Sequence, residues 1–124
     1  MSQVLAIAAG GAAGALMRFW VSNGIYSLLG RGFPYGTLAV NVLGSLVMGL
    51  LYVMLIERMT AGPELRAALL VGFLGAFTTF STFSVETLNL IEQADYMKAI
   101  LNMLISVIAC LFAAWLGFVI GRQI

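Results

Sequence analysis

The run Thr78-Thr79-Phe80-Ser81-Thr82-Phe83-Ser84-Val85-Glu86 holds the side chains of this 124-residue chain best suited to handling an ion. Five hydroxyls fall within seven residues, from Thr78 to Ser84. Phe80 and Phe83 are three apart, so on a helix they lie about 60° from each other, nearly on one face. Paired rings usually mean packing. A ring also has a positive edge, and two rings turned edge-on beside hydroxyl and amide donors can accept a small anion without a fixed positive charge. Gly72 and Gly75 precede the hydroxyls, and Ser and Thr can bond back to helix carbonyls and bend a helix, so an interruption is expected near Gly75 to Thr79. Exposed carbonyls there suit a small cation, and without an acid in the break a monovalent one is favoured. Glu86 is the only acid well inside an apolar segment, a candidate for gating or hydrogen bonding and a poor one for holding an anion directly.

Other polar residues fall in apolar surroundings. Arg18 follows Gly10-x-x-x-Gly14, the spacing that lets helices approach closely in lipid, and it either marks an ion path or snorkels to the interface. Asn41 stands among Leu38, Val40, Val42 and Leu43, either as glue between helices or as a donor to a passing anion. Asn102, Ser106 and Cys110 are spaced four apart on one stripe, either extending a polar track or packing helices.

These residues must be positioned by elements built for lipid. With 62% apolar and 9% charged residues and a mean hydropathy of +1.06, the composition lies far outside the range of water-soluble domains. Uninterrupted apolar stretches cover residues 4–29, 37–56, 67–90 and 99–120, which predicts four transmembrane helices in one all-α domain over residues 1–124. The links between them are short and polar or turn-forming. A signal peptide is a competing reading of the first stretch, but it lacks a basic start and carries Arg18 in its core. With no histidine and a single cysteine, the usual hydrolytic or redox enzyme lacks parts. Nucleic acid is not an expected partner; membrane lipid is.

Lys and Arg hardly fix an orientation. Arg58, Arg66 and Arg122 share one side with both termini, against Arg31 and Lys98 on the other, a score of three to two. So weak a bias predicts insertion both ways, and pairing with an inverted copy would supply the inverted-repeat symmetry that many transport proteins build within one chain.

The combined pattern resembles the small dual-topology fluoride channels of microbes over nearly the whole chain. The likeness rests on Gly10-Gly11-x-x-Gly14-Ala15-x-x-Arg18, on Pro34-x-Gly36-Thr37-Leu38-x-Val40-Asn41-x-x-Gly44, and on the run from Thr78 to Glu86, the most specific of the three. The resemblance implies an antiparallel homodimer in the cell inner membrane with two narrow pores, through which fluoride leaves the cytoplasm passively. It implies pore roles for Phe80, Phe83 and Asn41, a hydroxyl track at Ser81 and Thr82, and a structural sodium ion held at the dimer axis by the carbonyls of Gly75 and Thr78. Relatives can offer a hydroxyl where this chain has Cys110. Two other classes compete: a proton-coupled exporter of organic cations, in which Glu86 would have to serve as the exchanging carboxylate, and a scaffold that carries no ions.

Overall fold

The computed structural model describes all residues, 1–124, and it is helical throughout, with no strand. Four helical spans are long and apolar enough to cross a membrane: Ser2–Leu29, Tyr35–Glu57, Pro63–Glu92 and Tyr96–Gln123. The protein is therefore an all-α, multi-pass membrane protein. The first span is one helix, α1 (Ser2–Leu29), whose 28 residues at about 1.5 Å each exceed the ~30 Å hydrocarbon thickness. It stops at Gly30, whose φ of 82° a side chain would disfavour. The second is α2 (Tyr35–Leu51), which widens into a π-helical stretch over Tyr52–Glu57. The third starts at Pro63 as α3 (Pro63–Arg66), widens over Ala67–Phe73, tightens into α4 (Leu74–Phe77) and continues as α5 (Phe80–Glu92). The fourth is α6 (Tyr96–Gln123). Each span begins before its apolar stretch and three of them end beyond it, because helical hydrogen bonding continues into polar ends; Pro63, needing no N–H, opens the third. The π-helical stretches have no counterpart in the apolar pattern of the sequence.

Two backbone contacts set the layout. Gly14 of α1 sits against Phe73, where an added Cβ would overlap the Phe73 carbonyl, so α1 lies directly on the third span. Gly49 of α2 meets the Ala114 backbone and Gly117 of α6 meets that of Leu46, so α2 and α6 pack just as closely. Large side chains point the other way: Phe19 and Trp20 of α1 and Leu111, Phe112 and Trp115 of α6 are exposed, as suits faces that meet acyl chains. The polar side chains with the least exposure are Thr37, Thr87, Asn102 and Ser106, all turned inward.

Candidate functional site

Thr78 (φ −88°, ψ 159°) and Thr79 (φ −151°, ψ 122°) are extended between α4 and α5. Side chains hold them so. The Thr78 hydroxyl donates back to the Leu74 carbonyl at 2.9 Å. Asn41 grips Thr79 at both ends, its Oδ1 accepting the Thr79 N–H at 2.8 Å and its Nδ2 donating to the Thr79 carbonyl at 3.0 Å. The Thr79 hydroxyl then accepts the N–H of Thr82 at 3.2 Å and caps the start of α5. Thr79 N–H, which in a continuous helix would serve the Gly75 carbonyl, is thus committed elsewhere. The neighbouring Ala76 carbonyl accepts from Nε of Arg18 at 2.9 Å, which sets a cation at the negative end of α4 and gives the half-buried arginine its partner. Gly75 is exposed and Thr78 half-buried. No group of three His, Cys, Asp or Glu side chains that could hold a metal occurs.

Beside the extended threonines lies a groove of about 390 Å³, bordered by Asn41, Thr79, Phe80, Phe83, Ser106 and Cys110 among others. The Phe80 and Phe83 rings stand 5.4 Å apart at 69°, edge toward face. Phe80 is 68% exposed, so the groove is open along that side. One Nδ2 hydrogen of Asn41 serves Thr79; its second has no partner within the chain. No ionisable side chain other than the Cys110 thiol borders the groove. Ser81 and Thr82 do not border it: Phe80 and Phe83 share a face of α5, and these two point off it. The Ser84 hydroxyl bonds back to the Phe80 carbonyl at 3.0 Å.

Two polar ladders continue from the groove. On one side Tyr26 donates to Oε2 of Glu86 at 2.9 Å, and its hydroxyl is 3.5 Å from that of Thr37. On the other, Nδ2 of Asn102 donates to the Thr87 hydroxyl at 2.9 Å, and Ser106 reaches Oδ1 of Asn102 at 3.4 Å. Asn102, Ser106 and Cys110 form one stripe of α6, with Ser106 and Cys110 at the groove and Asn102 beyond it. Tyr26 and Thr87 take part without having been singled out by the sequence reading, and Thr37 and Thr79 entered it only as members of motifs, with no partner assigned. The available signal was chemical: a buried Tyr or Thr hydroxyl needs a partner.

A four-span membrane protein whose interior groove offers ring edges, an amide and hydroxyls, and no carboxylate, has the composition of an ion-conducting or ion-binding membrane protein. Residues 5–118 match the family described as CrcB-like protein, Camphor Resistance (CrcB), and the chain belongs to that family. A fluoride-specific ion channel FluC of Magnetococcus marinus is 53% identical over 122 residues, covering 98% of this chain and 99% of that protein. One of Geobacter sulfurreducens is 47% identical over 124 residues, all of both chains. Another, of Methylococcus capsulatus, is 61% identical over 98% of this chain, which spans about half of it (53%).

Proposed function

We infer that this chain is a fluoride-specific ion channel and not an enzyme, letting cytoplasmic fluoride leave the cell passively and so lowering its toxicity. The observation that carries the reading is the groove in which Asn41, Phe80 and Phe83 converge, in a chain of this family. Fluoride holds its water strongly, so a path must replace that water with donors, and binding must remain weak enough for exit. The free N–H of Asn41 and the positive edges of the two rings supply attraction. Arg18, committed to the Ala76 carbonyl, puts no fixed charge on the groove wall that would trap the ion. Ser106 and Cys110 extend the wall along α6.

The working unit of this reading is an antiparallel, dual-topology homodimer in the cell inner membrane. The open side of the groove, the exposed ring of Phe80 and the near-balanced Lys and Arg distribution support it. Ser81, exposed, and Thr82 join the fluoride path where a second copy completes it. The third span works as a broken helix. Its interruption suits a structural sodium ion: the Gly75 carbonyl has lost its usual donor, Thr78 is extended, and no carboxylate competes. The carbonyls of Gly75 and Thr78 from each copy would hold the ion, whose charge would offset the carbonyl dipoles gathered at the dimer axis. The exporter reading is disfavoured because no carboxylate borders the groove.

The test is efflux from liposomes holding the purified protein, fluoride against chloride under the same gradient with no proton gradient. Rapid fluoride loss with chloride retained is expected; retention of both would refute the channel.

A further inference from the structure

Glu86 is the acid nearest the groove, one turn beyond Phe83 on α5, and a carboxylate beside an anion's path obstructs it. Its fixing is therefore a matter for function. Oε2 accepts the Tyr26 hydroxyl at 2.9 Å, while Oε1 is buried and has no partner. The carboxyl is thus held by a single bond, across 60 residues of sequence, to α1. No cation is paired with it, although Arg31 borders the same small space. From the loop after α1, Arg31 lies with its guanidinium carbon 4.4 Å from the centre of the Tyr26 ring and grips the ring instead of the acid. From α2, Thr37 brings only a hydroxyl, and that is 3.5 Å from the Tyr26 oxygen. From α6, Lys98 is committed to the Gly32 carbonyl at 3.0 Å. Asn89 of α5 and Gln93 just past it are neutral, Glu92 at its end and Asp95 beyond have no bond to this cluster, and the only ion pair of the chain is Glu57 with Arg122.

The position matters as much as the bond. Thr37 stands one turn before Asn41 on α2, as Glu86 stands one turn after Phe83 on α5, so the Tyr26–Thr37–Glu86 cluster lies past that end of the groove. Beyond it lies a second space of about 160 Å³, bordered by Tyr26, Arg31, Phe33, Glu86, Asn89 and Gln93. Glu86 borders this second space, which gives an untethered carboxyl somewhere to turn.

We propose that Tyr26 is a positioning residue for ion passage: its hydroxyl, braced by Arg31 on its ring, tethers the Glu86 carboxyl against α1 and keeps it clear of the route between the groove and the smaller space. The inference rests on the channel reading. Remove the tether and Glu86, its one hydrogen bond lost, swings into the route and repels the anion; remove the carboxylate as well and the obstruction disappears.

The experiment compares fluoride efflux from liposomes for the wild type, Tyr26→Phe, Glu86→Gln and the double variant, each checked for helix content and elution volume before reconstitution. Tyr26→Phe is expected to slow efflux at least about tenfold, the order that a unit charge brought within a few ångströms of the ion gives even when water screens most of the repulsion. The double variant is expected to regain the rate of Glu86→Gln alone. Wild-type rates in Tyr26→Phe would overturn the proposal. So would a double variant as slow as Tyr26→Phe, which would make the tyrosine a packing element and nothing more. If Tyr26→Phe does not fold, Arg31→Ala loosens the ring and leaves the hydroxyl in place; a loss of rate relieved by Glu86→Gln is then expected, and a loss that Glu86→Gln leaves untouched would overturn the tether. A wild type that releases no fluoride would instead overturn the channel reading, and this inference with it.

Discussion

Replacing Gly14 by alanine tests how closely α1 must approach the third span for the site to form. A Cβ there would overlap the Phe73 carbonyl oxygen and stand 2.9 Å from its carbon and 3.0 Å from the Phe73 Cα, where ordinary contact begins at 3.4 Å. All of these are backbone atoms, so no side chain can turn aside, and α1 must retreat by about 1 Å. Arg18 is one turn further along the same face of α1, and its Nε lies 2.9 Å from the Ala76 carbonyl. A retreat of that size carries the pair beyond hydrogen-bonding range. Overpacking contributes about 1–3 kcal/mol, and the lost bond adds about 1 kcal/mol, the scale measured between membrane helices. The expected destabilisation is about 2–4 kcal/mol, read by titrating the protein in mixed micelles with sodium dodecyl sulfate and following helical circular dichroism. A double-mutant cycle separates the two contributions. With Arg18→Met in the background, Gly14→Ala should cost about 1 kcal/mol less, because the bond is already gone. Strict additivity would show that Gly14 does not hold Arg18 in place, and a Gly14→Ala protein as stable as the wild type would refute the packing argument altogether.

Asn41→Leu removes both bonds to Thr79 and leaves its N–H and carbonyl unpaired, at a cost of about 2 kcal/mol to the extended conformation; fluoride efflux should fall at least about tenfold, and an unchanged rate would disprove the clamp. Phe80→Ile and Phe83→Ile keep the volume apolar but remove the ring edges, so efflux should drop in both while helix content and elution volume stay as in the wild type; full transport in both would remove the rings from the path. Exchanging sodium for a bulky organic cation should impair efflux slowly, with recovery when sodium returns, whereas indifference would argue against the carbonyl site at Gly75 and Thr78.

The four spans were legible because lipid imposes a simple demand, some 20 apolar residues in a row, and the chain meets it four times. The expectation of an ion-handling site at Thr78–Glu86 rested on residue type, which the sequence displays directly. What it does not display is which side chains meet across distant helices. Asn41 joins Thr79 over 38 residues and Tyr26 joins Glu86 over 60, and each partner is one of several polar residues equally available on paper. Arg18 shows the same limit: its charge was obvious and its acceptor, a main-chain oxygen, carries no signature in the sequence. Ser81 and Thr82 show another. They sit between the two phenylalanines in the sequence, yet helical geometry turns them away from the rings, so adjacency in the run did not mean adjacency in the groove. The π-helical stretches left no trace in the apolar pattern because a widened turn changes where residues point and not what they are.

The open flank of the groove, with Phe80 68% exposed, has a consequence for the cell. On the proposed pairing, a route completed by two copies obeys mass action in the plane of the membrane. When chains are sparse, the number of finished routes rises with the square of the surface density; once pairing saturates, it rises in direct proportion. A small fall in expression would then cost a sparsely stocked membrane far more than its share of protection. Selection on such a chain would act on the tightness of pairing as strongly as on the route itself.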